Sequence, residues 1–202
     1  MPVVHRGRDA VYVEIAGRCV GVVSRRATAV PCALRAATDA LPEVRRARLE
    51  TGVLLLDDEP LPVGRVVEVR VPALRTLVGT PAPTPGDIGS MVGRGDGLTP
   101  YYDDVLCGWL AAHRAAGVAT DEVDAAIRAC LGRTTLLSAA LLDCAMHGEV
   151  IPEFARWLGA VGAATEPDLA ARLAAVGHTS GRGLLQGART ALDHLVPLEG
   201  AA

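Results

Sequence analysis

Lysine is absent from the chain, and each of its 20 basic residues is an arginine. A P-loop, a Schiff-base mechanism and a lysine general base all need the lysine amine, so these three classes of chemistry are excluded. The arginines are scattered and the formal net charge is -3, so no basic stripe is available for a phosphate backbone. We therefore expect no nucleic-acid partner.

Aromatic residues, cysteine motifs and long apolar runs are scarce as well. Aromatics are 3% of the chain while half of its residues are hydrophobic, so Leu, Val and Ala must build the core, which favours closely packed helices. The five cysteines form no C-x-x-C pair, which is typical of buried thiols in a reducing compartment. No segment reaches the roughly 18 apolar residues of a membrane span. We expect a cytoplasmic protein without a membrane partner.

Short β-like segments occupy residues 3–78. Four apolar or alternating runs, separated by Gly17, Pro31 and the pair Asp57–Asp58, predict strands. These runs are residues 11–15, 19–23, 53–56 and 65–71. Residues 28–49 are Ala-rich without clean alternation, and both a short helix and a long connection stay open for them. A small β-rich N-terminal domain over residues 1–78 is predicted.

Residues 79–98 are too rich in Gly and Pro for a regular element. Because Gly93, Gly95 and Gly97 stand directly before a helix start, we interpret this segment as an ordered functional loop. Caps and breakers then predict six helices in a domain over residues 99–202. They span about residues 99–116, 120–132, 134–148, 152–161, 165–177 and 180–195. The predicted fold class is α+β, with a small β-rich N-terminal domain followed by an all-α helical bundle.

The segment from Gly93 to Asp104 is the first candidate site. Glycines precede a helix N-terminus whose unpaired N–H groups and dipole attract a phosphate or a carboxylate. The residues predicted to bind this anion are Gly93, Arg94, Gly95, Gly97 and Thr99. Asp103 and Asp104 are candidate catalytic residues that can hold Mg²⁺ or polarise a substrate amide. The alternative is that acids simply favour the first turn of a helix.

A second candidate site is the loop GHTSGRG, residues 177–183, which again leads into a helix. His178 titrates near neutrality and is a candidate catalytic acid or base. The residues predicted to bind substrate here are Thr179, Ser180, Gly181 and Arg182, the last as a clamp for a carboxylate. Two helix N-termini can thus converge on one ligand. The alternative is that Thr179 or Ser180 only caps the helix and that His178 is a surface residue.

A third candidate lies in the segment TTLLS, residues 134–138. Thr135 and Ser138 stand one turn apart on the same helix face, where they can hydrogen-bond ligand oxygens. The alternative is that they cap the helix and satisfy its own backbone.

Taken in chain order, the motifs G-x-G-x-GLTP-x-x-DD, TT-x-x-S and GHTSG resemble the AllH family over about residues 88–195. This family supplies one subunit of oxamate carbamoyltransferase in anaerobic allantoin and purine degradation. The resemblance implies carbamoyl transfer between carbamoyl phosphate and a small amide such as oxamate. It also implies partner subunits, and a homo-oligomer is the alternative that stays open. The one cofactor suggested, from the Asp pair and not from the resemblance, is Mg²⁺.

Two positions depart from the family pattern. Tyr102 stands where a small residue is usual, and Asp96 where an uncharged one is expected. A carboxylate at position 96 repels phosphate unless a metal or an arginine such as Arg94 compensates it, so a different substrate stays open. A further alternative, from another functional class, is a noncatalytic ligand-binding or assembly subunit whose glycine loop docks a partner.

Overall fold

The structure is a computed structural model that describes residues 1–74, 77–78, 84 and 86–197. Residues 79–83 and 85 of the predicted loop, and residues 198–202 of the predicted helical domain, lie outside the described residues. Contacts divide the chain into two units, Met1–Glu68 and Val69–Ala202. The domain limits at residues 78 and 98 stay a prediction.

The first unit carries a four-stranded sheet whose strands follow chain order. They are β1 (Val3–Arg6), β2 (Ala10–Ile15), β3 (Arg18–Val23) and β4 (Ala33–Arg35). The first three pair antiparallel, and β4 pairs parallel to β3. A second, antiparallel sheet follows. Its strands are β5 (Ala47–Glu50), β6 (Val53–Leu56) and β7 (Glu59–Pro60).

Three tight turns of this unit have positive φ at both central residues. They are Ala16–Gly17, Thr51–Gly52 and Asp57–Asp58. Positive φ at both positions is type I′ geometry, whose twist matches that of the two strands it joins. The hairpins turn apolar side chains of both sheets into one core. Its buried members include Val11, Val13, Val22, Leu54 and Leu56.

Three of the four predicted strands are confirmed, as β2, β3 and β6. The strand predicted over residues 65–71 is wrong, because the described chain forms only an isolated bridge there, between Arg70 and Glu149. Val66 is 89% exposed, so its side chain does not pack on a neighbouring strand. Alternation gives a stable strand only where a partner is present. Residues 28–49 hold β4 and most of β5 and, among these described residues, no helix.

The described residues of the second unit form seven α-helices and one short strand pair. The helices are α1 (Ile88–Met91), α2 (Tyr101–Ala115), α3 (Asp121–Cys130), α4 (Leu136–Met146), α5 (Pro152–Leu158), α6 (Glu166–Ala174) and α7 (Ser180–Leu192). The strands are β8 (Leu77–Val78) and β9 (Val196–Pro197), which pair antiparallel. The α+β fold class is confirmed. Of these helices, none is long and apolar enough to cross a lipid bilayer.

All six predicted helices are present, and their punctuation explains why. Pro152 lies in the first turn of α5, and Gly117, Gly148 and Gly177 take the left-handed φ values of 71°, 74° and 61° that end a helix. The sequence did not predict α1, which lies inside the Gly/Pro-rich loop. Asp87 caps α1, because its side chain accepts a hydrogen bond from the backbone N–H of Ser90 at 2.8 Å.

Helices α2 and α7 pack with their backbones in contact, and glycines make this approach feasible. A Cβ atom at Gly187 of α7 would lie 1.8 Å from the carbonyl oxygen of Val105. A Cβ atom at Gly108 of α2 would lie 2.0 Å from the carbonyl oxygen of Leu184. Real Cβ atoms do not approach so closely, so any larger residue would separate the helices. This packing brings the N-terminal ends of α2 and α7 together.

A buried ion pair fixes the other end of α2. Arg114 and Asp124 are joined by an N–O distance of 2.6 Å, and both side chains are largely buried. The same guanidinium donates to the carbonyl oxygens of Met146 at 2.6 Å and Val118 at 3.1 Å. Arg114 therefore ties the end of α2 to α3 and to the end of α4.

Gly187→Ala tests the backbone contact. We expect it to lower the free energy of unfolding by about 3 kcal/mol, because the new methyl group overlaps the carbonyl of Val105. Urea unfolding followed by tryptophan fluorescence is the measurement, since both tryptophans, Trp109 and Trp157, lie in this unit. Gly132→Ala is the matched control, because its Cβ would have no atom within 4 Å; we expect a change under about 1 kcal/mol. Equal stability of the two variants would contradict the proposed contact.

Candidate active site at three helix N-termini

Side chains from the starts of three helices meet in the second unit. Thr99, just before α2, lies 2.8 Å from Ser180, the first residue of α7, measured between the two hydroxyl oxygens. Ser138 in the first turn of α4 donates to the carboxylate of Asp103 in the first turn of α2, at 2.7 Å. The three segments that the sequence singled out separately thus lie side by side.

Asp103 is fully buried, and donors of the protein hydrogen-bond both of its carboxylate oxygens. The backbone N–H of Gly93 donates to Oδ1 at 2.8 Å, and the hydroxyls of Ser138 and Thr134 donate to Oδ2. Gly93 is required here, since its φ is +80° and a Cβ atom would lie 2.2 Å from the carbonyl oxygen of Arg133. The N–H of Gly93, predicted to bind an external anion, therefore binds a carboxylate of the chain itself.

Asp104 points away from Asp103, because adjacent side chains on an α-helix are about 100° apart. It faces α7, where a Cβ atom at Gly183 would lie 2.8 Å from its own Cβ. Its carboxyl interacts with the hydroxyls of Ser180 and Thr99. Asp104 is only 5% exposed, and its Oδ2 atom is buried without a hydrogen-bond partner among the described residues. A buried polar atom in this state costs about 1–3 kcal/mol.

Burial also changes the acidity of Asp104. Desolvation of the charged form raises its pKa from an ordinary value of 3.8 to about 7. The interactions with the hydroxyls of Ser180 and Thr99 lower this pKa, and the negative charge of Asp103 adds to the rise. Asp104 therefore changes its charge near neutral pH, in the range where acid–base groups work.

The Asp pair does not fit the Mg²⁺ ion suggested by the sequence. Magnesium needs carboxylate oxygens that are free to coordinate it, and both oxygens of Asp103 are already hydrogen-bonded. The two side chains also point in different directions. Among the described residues, no group of three His, Cys, Asp or Glu side chains is placed to hold a metal.

Thr135 has a structural part in this site. It is the N-cap of α4, where its hydroxyl oxygen accepts the backbone N–H of Ser138 at 3.0 Å. The same hydroxyl donates to the carbonyl oxygen of Leu98 at 2.5 Å. The capping interpretation thus accounts for Thr135, while the hydroxyl of Ser138 serves Asp103.

The segment GHTSGRG, residues 177–183, covers the loop before α7 and the first turn of that helix, and it has both exposed and buried residues. His178 and Arg182 are exposed, and Thr179 is the N-cap of α7 without a side-chain hydrogen bond to the helix. Gly181 is buried against α6, and a Cβ atom there would lie 1.8 Å from the carbonyl oxygen of Leu173. Of this segment, only Ser180 has a described side-chain hydrogen bond, which joins its hydroxyl to that of Thr99. The hydroxyl of Ser180 also interacts with the carboxyl of Asp104.

The loop before α2 lies outside the buried acids. The guanidinium carbon of Arg94 is 4.7 Å from the ring centroid of Tyr102, a cation–π contact. Gly95 packs against the start of α2, where a Cβ atom would be 2.6 Å from the backbone nitrogen of Tyr101. Gly97 has φ +92° and open space around it. Arg94 and both glycines are exposed, so this outer part of the loop is accessible.

Two contacts of this site were not predicted from the sequence. Thr134 donates to Asp103, and the TT-x-x-S motif already contained that residue. The hydroxyl of Tyr101 donates to the side-chain oxygen of Gln186, which joins the first turn of α2 to the middle of α7. No local signal indicates this second pair, because the two residues are 85 positions apart.

A family model described as "Oxamate carbamoyltransferase subunit AllH" matches residues 91–192. The match covers half of the chain and runs from the last residue of α1 to the end of α7, so it includes all of the predicted site residues. No curated protein and no solved structure matches the chain.

Asp103→Ala tests the internal carboxylate. We expect a loss of about 3–5 kcal/mol in the free energy of unfolding, because three donors lose their acceptor in a buried place. Urea unfolding followed by tryptophan fluorescence measures it. Asp96→Ala, at an exposed position of the loop, is the control and should change stability by under about 0.5 kcal/mol. If Asp103→Ala left the free energy of unfolding unchanged, the three hydrogen bonds to Asp103 would add no stability.

Asp104→Asn tests the raised pKa. The folded protein holds a proton that the unfolded chain releases between pH 3.8 and about 7, so the stability of the wild-type protein falls as pH rises through this window. The difference corresponds to up to about 4 kcal/mol. The variant should lack this fall, and Asp96→Asn should keep it. The measurement is the free energy of unfolding at each pH from 4 to 8. If it depended on pH in the same way for Asp104→Asn and the wild type, the raised pKa would be refuted.

Proposed function

The chain belongs to the AllH family, and on that premise we propose that it is a subunit of a carbamoyltransferase acting on carbamoyl phosphate and a small amide or carboxylate such as oxamate. The family description names an enzyme subunit, so the proposal includes partner subunits or a homo-oligomer. A role in purine or allantoin catabolism and a cytoplasmic location belong to the same proposal.

The buried, half-satisfied carboxyl of Asp104 is the observation that carries this proposal. Its unpartnered oxygen and its desolvation both destabilise the fold, and such a cost is typical of residues kept for function. A carboxyl of this kind suits an amide, because its ionised form attracts the positive end of an amide N–H dipole. It does not suit a phosphate, which would add a second negative charge beside it.

The phosphate of carbamoyl phosphate belongs, in this proposal, to the outer part of the GRGDGLTPYYDD loop. Gly93 already donates its N–H to Asp103, so the backbone of Gly95 to Thr99 is the part that remains for an external anion. The exposed side chains of Arg94, in the loop before α2, and Arg182, in the first turn of α7, supply positive charge that offsets Asp96. His178, exposed at the start of α7, stays in the proposal as an acid–base group for the outer ligand.

Ligand-dependent unfolding tests the proposal. Phosphate, carbamoyl phosphate and oxamate should each raise the unfolding temperature of the full chain. At a hundredfold excess over the dissociation constant the gain is about 2.7 kcal/mol, or roughly 5–10 °C for a protein of this size. The double variant Arg94→Ala/Arg182→Ala should lose most of the shift with the two phosphates.

Arg156→Ala is the matched control, because Arg156 is an exposed arginine on α5 and its removal should leave every shift unchanged. Loss of the phosphate shift in this control as well would make the effect one of general charge. If none of the three ligands shifts the wild-type chain, the proposed anion site is contradicted and a noncatalytic assembly subunit becomes the better description.

A further inference from the structure

The cluster of Asp104, Ser180 and Thr99 has an inner and an outer layer. Asp104 is 5% exposed, whereas Ser180 and Thr99 are each partly exposed. A ligand at the surface therefore meets two hydroxyl groups, and the carboxyl lies behind them. The hydroxyls are therefore the groups of this cluster that a ligand can contact directly.

The hydrogens of the cluster can be counted. Each hydroxyl carries a single hydrogen, and the 2.8 Å contact between the oxygens of Thr99 and Ser180 uses one of them. The carboxyl of Asp104 interacts with both hydroxyls, and Ser180 has the larger effect on its pKa. One order that needs a single hydrogen from each hydroxyl has Thr99 donating to Ser180 and Ser180 donating to Asp104. In that order the oxygen of Thr99 keeps free lone pairs for a donor outside the protein.

We propose that Thr99 and Ser180 relay a proton between the amide nitrogen of the acceptor and the carboxyl of Asp104. The relay rests on the proposed function, since that function supplies the amide and the carbamoyl phosphate. It names the side chain that meets the amide, Thr99, and it makes Asp104 a residue that acts without touching the substrate.

Carbamoyl transfer needs such a relay because the amide nitrogen loses a proton. The nitrogen forms a bond to the carbamoyl carbon while the bond from that carbon to the phosphate oxygen breaks. The proton on nitrogen passes to Thr99, the proton of Thr99 to Ser180, and that of Ser180 to Asp104. The same chain then returns one proton to an oxygen of the departing phosphate, which leaves as hydrogen phosphate, so no further reactant is needed.

The surroundings of Asp104 suit the reception and release of a proton. A pKa of about 7 balances both directions at neutral pH. The N-terminal end of α7 at Ser180 favours negative charge on the relay, and Asp103 opposes it from α2. Cys107, one turn further along α2, is buried with its pKa raised well above 9.0 and stays neutral. Near Ser180, the exposed side chains are those of Arg182 in the first turn of α7 and His178 just before it.

Proton release on ligand binding tests the relay. Calorimetric titration of the full chain with oxamate near pH 6.5, in buffers of different ionisation enthalpy, counts the protons exchanged. We expect a release of about half a proton or more, because an amide N–H that donates to Thr99 favours the ionised form of Asp104. Pyruvate is the matched ligand, since it carries a methyl group where oxamate carries the amide nitrogen, and it should release none.

Variants separate a relay from a structural role. Asp104→Asn should abolish the proton release. Thr99→Val, which keeps the shape and removes the hydroxyl, should abolish it as well, and Thr99→Ser should restore it. A role in packing alone would not distinguish Val from Ser by their proton count.

The outcomes divide cleanly. Oxamate binding with no proton release, with proton uptake, or with the same release in Asp104→Asn overturns the relay and leaves the proposed function standing. If the wild-type chain binds neither oxamate nor carbamoyl phosphate, the proposed function fails and the relay with it. Release that needs Asp104 and a hydroxyl at position 99 establishes the relay.

Discussion

Two helices of the second unit touch through their backbones because glycines stand where side chains would hold them apart. Gly108 on α2 and Gly187 on α7 each face a carbonyl oxygen of the other helix. Gly183, one turn earlier on α7, leaves room for the side chain of Asp104. If these helices were separated by the width of a methyl group, Ser180 would not reach Asp104 and the carboxyl would be open to water. The acidity of Asp104 thus depends on the packing of residues that carry no charge.

The two acids of the DD motif perform opposite tasks, although they are neighbours in sequence. Asp103 is surrounded by donors and holds the glycine loop against the start of α4. Its carboxylate stabilises the fold and is closed to a ligand. Asp104 has an oxygen without a partner and destabilises the fold when ionised. One acid with all its hydrogen bonds made lies beside one that lacks a hydrogen-bond partner. This arrangement suits a site that must hold its shape while it exchanges a proton.

Local patterns predicted the helices well because each has its own caps and breakers, such as Pro152 for α5 and Gly148 after α4. They failed at residues 65–71, where the described part of the chain places no strand beside the alternating run. The site was predictable as a set of segments and not as a geometry. Which of the two acids is saturated depends on Ser138 and Ser180, 35 and 76 residues away from Asp103 and Asp104 respectively. The glycines at 183 and 187 carry no local sign that they are packing residues.

Charge is ordered from the interior of the site to its surface, and this order orients a ligand. Asp103 is a buried carboxylate and Asp104 titrates behind two hydroxyls. Arg94 lies exposed in the loop before α2, and Arg182 lies exposed in the first turn of α7. A molecule with an anionic end and an amide end therefore has its lowest electrostatic energy with the anion outward, near the arginines, and the amide inward, near Thr99. The reverse orientation would place two negative charges together in a region where burial weakens the screening by water. The preference follows from where the fold places each charge.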